Sequence, residues 1–268
     1  MQNIIFIGAG SMAEALIQGW VKRAVFTPQQ IFVSNRSNDA RLAELQQRYG
    51  VQKLASLEDL QQADLIILAM KPKDAVTAMA QISPYIGEKT AVLSVLAGIS
   101  IDTITEQLGK RSIARVMPNT SATIGMSASG IAFNAHVLAD TKQQFMHMLE
   151  AVGTVIEVEE DKLHAVTALS GSGPAYLYYL IEAFEKVGAE FDLPKEVVRE
   201  LMVQTIAGSA EMLKTVKEEP AELRRKVTSP GGTTEAGIRA LEDMHFNDAI
   251  ASCIRCAETR SRELAAGK

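Results

Sequence analysis

The segment that most restricts the fold lies at the N-terminus. Asn3–Gly8 is a short, continuously apolar run closing on glycine, and Ala9-Gly10-Ser11-Met12-Ala13 follows it. A run of that kind suits a strand buried on both faces of a parallel sheet. The period then changes. Ala13, Leu16, Ile17, Trp20 and Val21 recur at helical spacing, so a helix follows with one face packed. Strand, glycine turn and helix in that order predict an α/β domain.

The same alternation continues. Ile31–Ser34, Leu65–Met70, Ala91–Val95, Ile113–Met117, Gly130–Phe133 and Val155–Val158 read as strands. Leu42, Leu45 and Tyr49 mark one helix, and Phe145, Met148, Leu149 and Val152 another. Ser56 with Asp59 caps a short one. Strands separated by helices imply right-handed crossovers and a doubly wound sheet. Beyond Asp161 the strand signal stops. Helices are expected over about 162–188, 195–217, 221–227, 233–243 and 247–265, broken at Asp192-Leu193-Pro194 and Ser229-Pro230-Gly231-Gly232. The expected layout is an α/β domain over 1–160 and an all-helical domain over 161–268.

Charge and composition exclude several classes. The net charge is −5 and neither half is basic, which argues against nucleic acid. The longest apolar run, Leu65–Met70, is far short of the roughly 18 residues of a membrane span. The start has no basic, signal-like region. Cys253 and Cys256 are too few for a disulfide framework, and the four histidines are scattered, so no metal site is expected. The expectation is a cytoplasmic protein with neither membrane nor nucleic-acid partner.

Gly8-Ala9-Gly10-Ser11-Met12-Ala13 fits G-x-G-x-x-G/A between strand and helix, the context of a dinucleotide site. Gly8 allows the tight turn, Gly10 the approach of a pyrophosphate, and Ala13 close packing of helix on strand. The second strand ends in Ser34-Asn35-Arg36-Ser37, without the acid that binds ribose hydroxyls in NAD sites. A guanidinium and small polar groups suit the 2′-phosphate of NADPH, with NADH as the lesser cofactor. The alternative for Arg36 is a solvated loop residue.

Two features mark the helical half. Ser229-Pro230-Gly231-Gly232-Thr233-Thr234 is a tight turn feeding a helix, either an anion site or plain threonine capping. Ser170-Gly171-Ser172-Gly173-Pro174 puts helix breakers inside a helical stretch. It reads as close packing, a kink, or a place where a ligand lies against backbone.

With Ala69-Met70-Lys71-Pro72, Arg115–Thr120 and Val227–Glu242, these segments resemble pyrroline-5-carboxylate reductases along nearly the whole chain. The resemblance implies a Rossmann domain followed by a helical domain that interlocks two chains, with five such dimers forming a decamer in many members. It implies NAD(P)H-dependent reduction of L-1-pyrroline-5-carboxylate to L-proline. By matching motif it assigns Gly8, Gly10, Ser11, Met12 and Ala13 to the pyrophosphate loop and Asn35 and Arg36 to the 2′-phosphate. Ala69, Lys71 and Pro72 fall to the cofactor's ribose and pyrophosphate, and Leu96, Ala97, Pro118 and Asn119 to the nicotinamide side. Ser229, Gly231, Gly232, Thr233 and Thr234 fall to the substrate, with the Thr234 hydroxyl near the ring nitrogen. Ser121 departs from the family, where proline is common. A hydroxy-acid dehydrogenase of similar layout usually carries a lysine about four residues beyond the helix glycines. That position is Leu177 here, and no lysine lies between Ser170 and Glu185. The remaining alternative is a non-catalytic NADP-binding regulatory module, whose mark would be a ruined Ser229–Thr234 loop.

Overall fold

The structure is a computed structural model that describes residues 1–266. Its strands form one sheet: β1 (Ile4–Ile7), β2 (Ile31–Ser34), β3 (Gln52–Lys53), β4 (Leu65–Leu68), β5 (Ala91–Ser94), β6 (Ile113–Met117), β7 (Ser127–Phe133) and β8 (Gly153–Glu157). They are ordered β3-β2-β1-β4-β5-β6-β7-β8. The first six are parallel; β7 runs antiparallel to β6, and β8 parallel to β7. The reversal follows from chain length, since the short connection 118–126 leaves no room for the dozen residues a parallel crossover needs.

The apolar runs are buried throughout in β1, β4, β5 and β6 because helices cover both faces. One face, with Phe6, Val33, Ile67 and Val116, packs on α1 (Ser11–Lys22), α2 (Asp39–Tyr49) and α5 (Ala139–Glu150). Trp20 anchors this layer. Its ring lies 5.5 Å from Phe6 and 5.4 Å from Phe26, and its indole N–H donates to the Met148 carbonyl at 2.7 Å. The other face packs on α3 (Ala75–Ile82) and α4 (Ile101–Leu108). Neither of these last two helices, eight residues each, is among the elements expected from the sequence. Helix α4 is rich in β-branched residues that favour strands. It is held by the Ser100 side chain, which accepts from the Thr103 N–H, and by Ile101, Ile104 and Leu108 on one buried face. Ser56 does not cap the short 3-10 turn that follows: the Asp59 carboxylate accepts the Ser56 N–H at 3.1 Å, but Leu57 is the N-cap of the turn over Glu58–Gln62 and no side chain makes a capping bond.

The rest is helical: α6 (Leu163–Val166), α7 (Gly173–Glu190), α8 (Lys195–Val216), α9 (Pro220–Lys226), α10 (Thr233–Asp243) and α11 (Phe246–Ala265). The glycine-rich stretch is a kink. A π-turn over Thr167–Gly171 ends α6, and α7 restarts at Gly173. Close packing within the described chain does not require these glycines, because a Cβ at Gly173 would meet nothing within 4 Å and one at Gly171 only ordinary contacts from 3.7 Å.

The compact units divide the chain differently from a cut at 160/161. Unit one is Met1–Pro174 with the chain from Cys256 onward, and unit two is Ala175–Arg255. The difference arises because residues 163–168 pack on the sheet through Leu163 and Val166, beside Met117 and Ala132. The end of α11 returns to the same unit, where Arg262 pairs with Asp161 at 2.6 Å and Ser261 meets His164 at 2.9 Å. Unit two is nearly coreless. Within it only Glu185, Gly188 and Val198 are buried, while Tyr179 is 74% and Phe191 70% exposed.

Candidate cofactor and substrate sites

The strand order reverses between β1 and β4, and ligands of open α/β sheets bind beyond the strand ends at such a point. A cavity of about 950 Å³ lies there. It is lined by Gly8, Gly10, Ser11 and Met12 after β1, Asn35 and Arg36 after β2, and Ala69, Lys71 and Pro72 after β4.

The glycines divide the work of the first turn. Gly8 has φ +110°, and a Cβ on it would sit 2.5 Å from the Ala69 backbone. Gly10 is extended at the start of α1, and a Cβ there would meet only the Ala69 carbonyl oxygen, at 3.8 Å. Gly8 is therefore required by the chain itself, whereas Gly10 keeps a surface open. No side chain caps α1. Its first-turn amides are free for an anion at the positive end of the helix dipole. Ala13 lies fully buried beneath, where only a small side chain fits helix to sheet.

Sequence reasoning missed Arg41, Lys73 and Asp74, all on the cavity wall. Arg41 donates to the Ala9 carbonyl at 3.0 Å and binds Glu14 and Glu44. Burial raises the Glu14 carboxyl, but hydrogen bonds from Arg41 and Tyr49 and the charges of Arg41 and Arg48 together hold it below the usual range. The available signal was helical spacing, since Arg41 and Glu44 lie on one face of a helix opening just after the Arg36 loop. Arg36 itself is 73% exposed in its side chain and lies 3.4 Å from Asp74.

Several expected residues lie off the cavity. Leu96 is buried in the core, and Val95 lines the cavity in its place. Ala97 is exposed in the same loop and does not line it. Pro118 and Asn119 also lie off it, and the Asn119 side chain is already committed. It accepts from the Ser121 N–H and donates to the Ser170 carbonyl, both at 3.1 Å. Asn119 thus ties the β6 loop to the π-turn.

In the helical unit, Gly231 takes a left-handed φ of +72°, and α10 starts with Gly232 as its N-cap. Plain threonine capping is therefore not what is seen. The Gly231 N–H donates to the Glu235 carboxylate at 2.8 Å, and the Gly232 N–H to the Ser229 carbonyl at 3.0 Å. Those two amides are engaged within the turn, so they are not the donors expected for a carboxylate. The free donors are the first-turn amides of Thr233 and Thr234. Both threonines are exposed, and neither hydroxyl is hydrogen-bonded among the described residues.

A family described as "Pyrroline-5-carboxylate reductase dimerisation" matches residues 160–264, and one described as "NADP oxidoreductase coenzyme F420-dependent" matches 3–98. The chain is 45% identical over 266 residues to pyrroline-5-carboxylate reductase 2 of Bacillus subtilis, covering 98% of this chain and 95% of that one. It is 38% identical to the reductase of Staphylococcus haemolyticus, covering 98% and 97%. Among solved structures, a pyrroline-5-carboxylate reductase from Coxiella burnetii superposes with a TM-score of 0.91 at 34% identity, covering 98% of each chain. The Plasmodium falciparum pyrroline carboxylate reductase with NADP bound gives 0.86 at 27% identity, again covering 98% of each. With near-full-length identity of this order on both units, the chain belongs to the pyrroline-5-carboxylate reductase family.

Proposed function

We propose that the chain reduces L-1-pyrroline-5-carboxylate to L-proline with NADPH, NADH serving less well, as the last step of proline biosynthesis. The observation that carries this reading is the start of α10, where two amides and two unbonded hydroxyls, of Thr233 and Thr234, stand together. The substrate is a cyclic imine bearing a carboxylate. The amides hold the carboxylate at the positive helix end. Ser229, Gly231 and Gly232 shape the turn that presents them. The Thr234 hydroxyl bonds the ring nitrogen. A protonated imine is already an electrophile, so orientation and one hydrogen bond suffice, and no strong general acid is needed. Water relays the nitrogen's proton.

The cofactor supplies a hydride to the imine carbon. Gly8, Gly10, Ser11 and Met12 receive its pyrophosphate over the free end of α1, with Ala13 keeping that helix close. Asn35 and Arg36 receive the 2′-phosphate, and Ala69, Lys71 and Pro72 border the ribose. Leu96 and Ala97 border the nicotinamide through loop backbone. Asn119, bonded at both ends of its side chain, positions that border.

The working unit is a homodimer formed through 161–268, whether it acts alone or as one of the five dimers of the decamer that many members of the family form. No helix among the described residues is long and apolar enough to cross a membrane. The cytoplasm is the compartment proposed, where the free thiols Cys253 and Cys256 stay reduced. The test is loss of reduced-nicotinamide absorbance when the purified protein meets pyrroline-5-carboxylate with NADPH, then NADH. Turnover faster with NADPH is expected. No turnover with either, in protein shown to bind NADPH, overturns the reading and favours the regulatory module.

A further inference from the structure

Among the described residues, the cavity at the sheet's switch point is lined by one carboxylate, that of Asp74, and it faces the Arg36 guanidinium at 3.4 Å. We infer that Asp74 is a specificity-determining residue that restrains the preference for NADPH and sustains use of NADH. The inference rests on the proposal that Arg36 meets the 2′-phosphate.

Three observations carry it. First, Asp74 has no other duty. It directly precedes α3, yet its side chain makes no capping bond to that helix, and Arg36 is its one hydrogen-bonding partner among the described residues. Second, the neighbouring cations differ in freedom. Arg41 is committed to Glu14, Glu44 and the Ala9 carbonyl, so Arg36 is the guanidinium free to change partner. Third, the wall positions are exchanged relative to an NAD site. There an acid at the end of the second strand accepts the ribose hydroxyls. Here β2 ends in Ser34 and is followed by Asn35, and the acid comes from the opposite wall, in the turn after β4.

The consequence is a competition. A 2′-phosphate brings close to two negative charges to the place where Arg36 already has a partner. Binding NADPH must separate Arg36 from Asp74 and leave the carboxylate beside the phosphate. NADH carries a hydroxyl at that position, which a carboxylate accepts without repulsion. Removing the charge should therefore favour one cofactor alone. For exposed groups several ångström apart in salt, the gain for NADPH is about three- to tenfold, shrinking as ionic strength rises.

The experiment is titration of NADPH and NADH, followed by nicotinamide fluorescence, on the wild type, Asp74→Asn, Asp74→Glu and Arg36→Ala, at low and high salt. Asp74→Asn should bind NADPH about three- to tenfold more tightly and NADH no better. Asp74→Glu should keep the wild-type ratio, and the difference should shrink in high salt. A shift of both cofactors by one factor, or of neither, overturns the inference. Failure here is separable from failure of the Arg36 reading. If Arg36→Ala weakens NADPH alone while Asp74→Asn does nothing selective, Arg36 stands and this inference falls. If Arg36→Ala changes the binding of neither cofactor, the Arg36 reading falls and this inference falls with it.

Discussion

Arg41 donates its Nε–H to the Ala9 carbonyl at 3.0 Å, tying the second crossover helix to the middle of the glycine turn. Glu14 and Glu44 grip the same guanidinium and raise its pKa further, so it acts as a fixed strut rather than as a ligand. Replacing Arg41 with Met should loosen the turn for any dinucleotide. Affinity for NADPH and NADH should fall together, by about tenfold, the scale of one lost hydrogen bond to a charged group. Equilibrium titration checks it. A loss confined to NADPH would make Arg41 a phosphate ligand instead.

Gly8 and Gly10 should fail in opposite ways. Gly8→Ala forces a side chain into φ +110° against the Ala69 backbone, so it should destabilise by about 2–4 kcal/mol and lower the melting temperature. Gly10→Ala meets nothing closer than 3.8 Å and should melt within about 0.5 kcal/mol of the wild type. It should nevertheless lose cofactor binding, because the methyl occupies the approach of the pyrophosphate. Thermal melts beside cofactor titrations separate the two. A Gly10→Ala protein with full affinity would remove the glycine turn from the binding site.

The α/β half was legible because buried strands are continuous apolar runs and the first loop carries its own punctuation. Helices α3 and α4 were not, because each is only eight residues long, and α4, although Ile101, Ile104 and Leu108 recur at helical spacing, is built largely of β-branched residues that favour strands. Arg41 and Asp74 escaped for another reason. Each is an ordinary charged residue whose place on the cavity follows from which loops the sheet order brings together. The engaged amides of Gly231 and Gly232 were equally unreadable, since the first depends on Glu235 folding back over the turn and the second on the turn closing onto the Ser229 carbonyl. Leu96 was matched by motif, but its side chain turns inward, as the alternation of a strand end dictates.

The coreless helical unit makes self-association a condition of stability. An 81-residue stretch in which Glu185, Gly188 and Val198 alone are buried cannot offset its chain entropy unaided. The melting temperature should therefore rise with protein concentration, as it does for a folded state that exists only as an oligomer. Sedimentation at micromolar concentration should show no monomer. A monomer with an unchanged melting temperature would contradict both.

His164 sets an acid-side sensitivity. Burial lowers its pKa, and the charges of Arg262 and Arg115 lower it further. A histidine depressed in the folded state takes up its proton first in the unfolded chain, so stability falls as pH drops through the ordinary histidine range near 6.5. Asp161 acts lower still. The Arg262 hydrogen bond depresses its carboxyl, so that contribution is present above the ordinary aspartate range and lost as pH falls beneath it. Unfolding measured at pH 7.5 and 5.5 should show a loss in the wild type that His164→Gln reduces. Equal losses in both proteins would place the sensitivity elsewhere.

Thr234 carries the sharpest chemical expectation. Its hydroxyl is exposed and unbonded, so Thr234→Val should leave stability within about 0.5 kcal/mol. If that hydroxyl bonds the ring nitrogen as it gains electron density, the loss falls on kcat more than on KM, by about 10- to 100-fold. Thr234→Ser retains the hydroxyl and should recover most of the rate. Thr233→Val keeps the amide and removes only the neighbouring hydroxyl; if that hydroxyl also donates to the carboxylate, a contact present in ground and transition states alike is lost, and KM should rise with kcat nearly unchanged. The two valine variants therefore separate orientation from chemistry. If both raise KM only, the threonine pair is a carboxylate clamp and the nitrogen's partner is water alone.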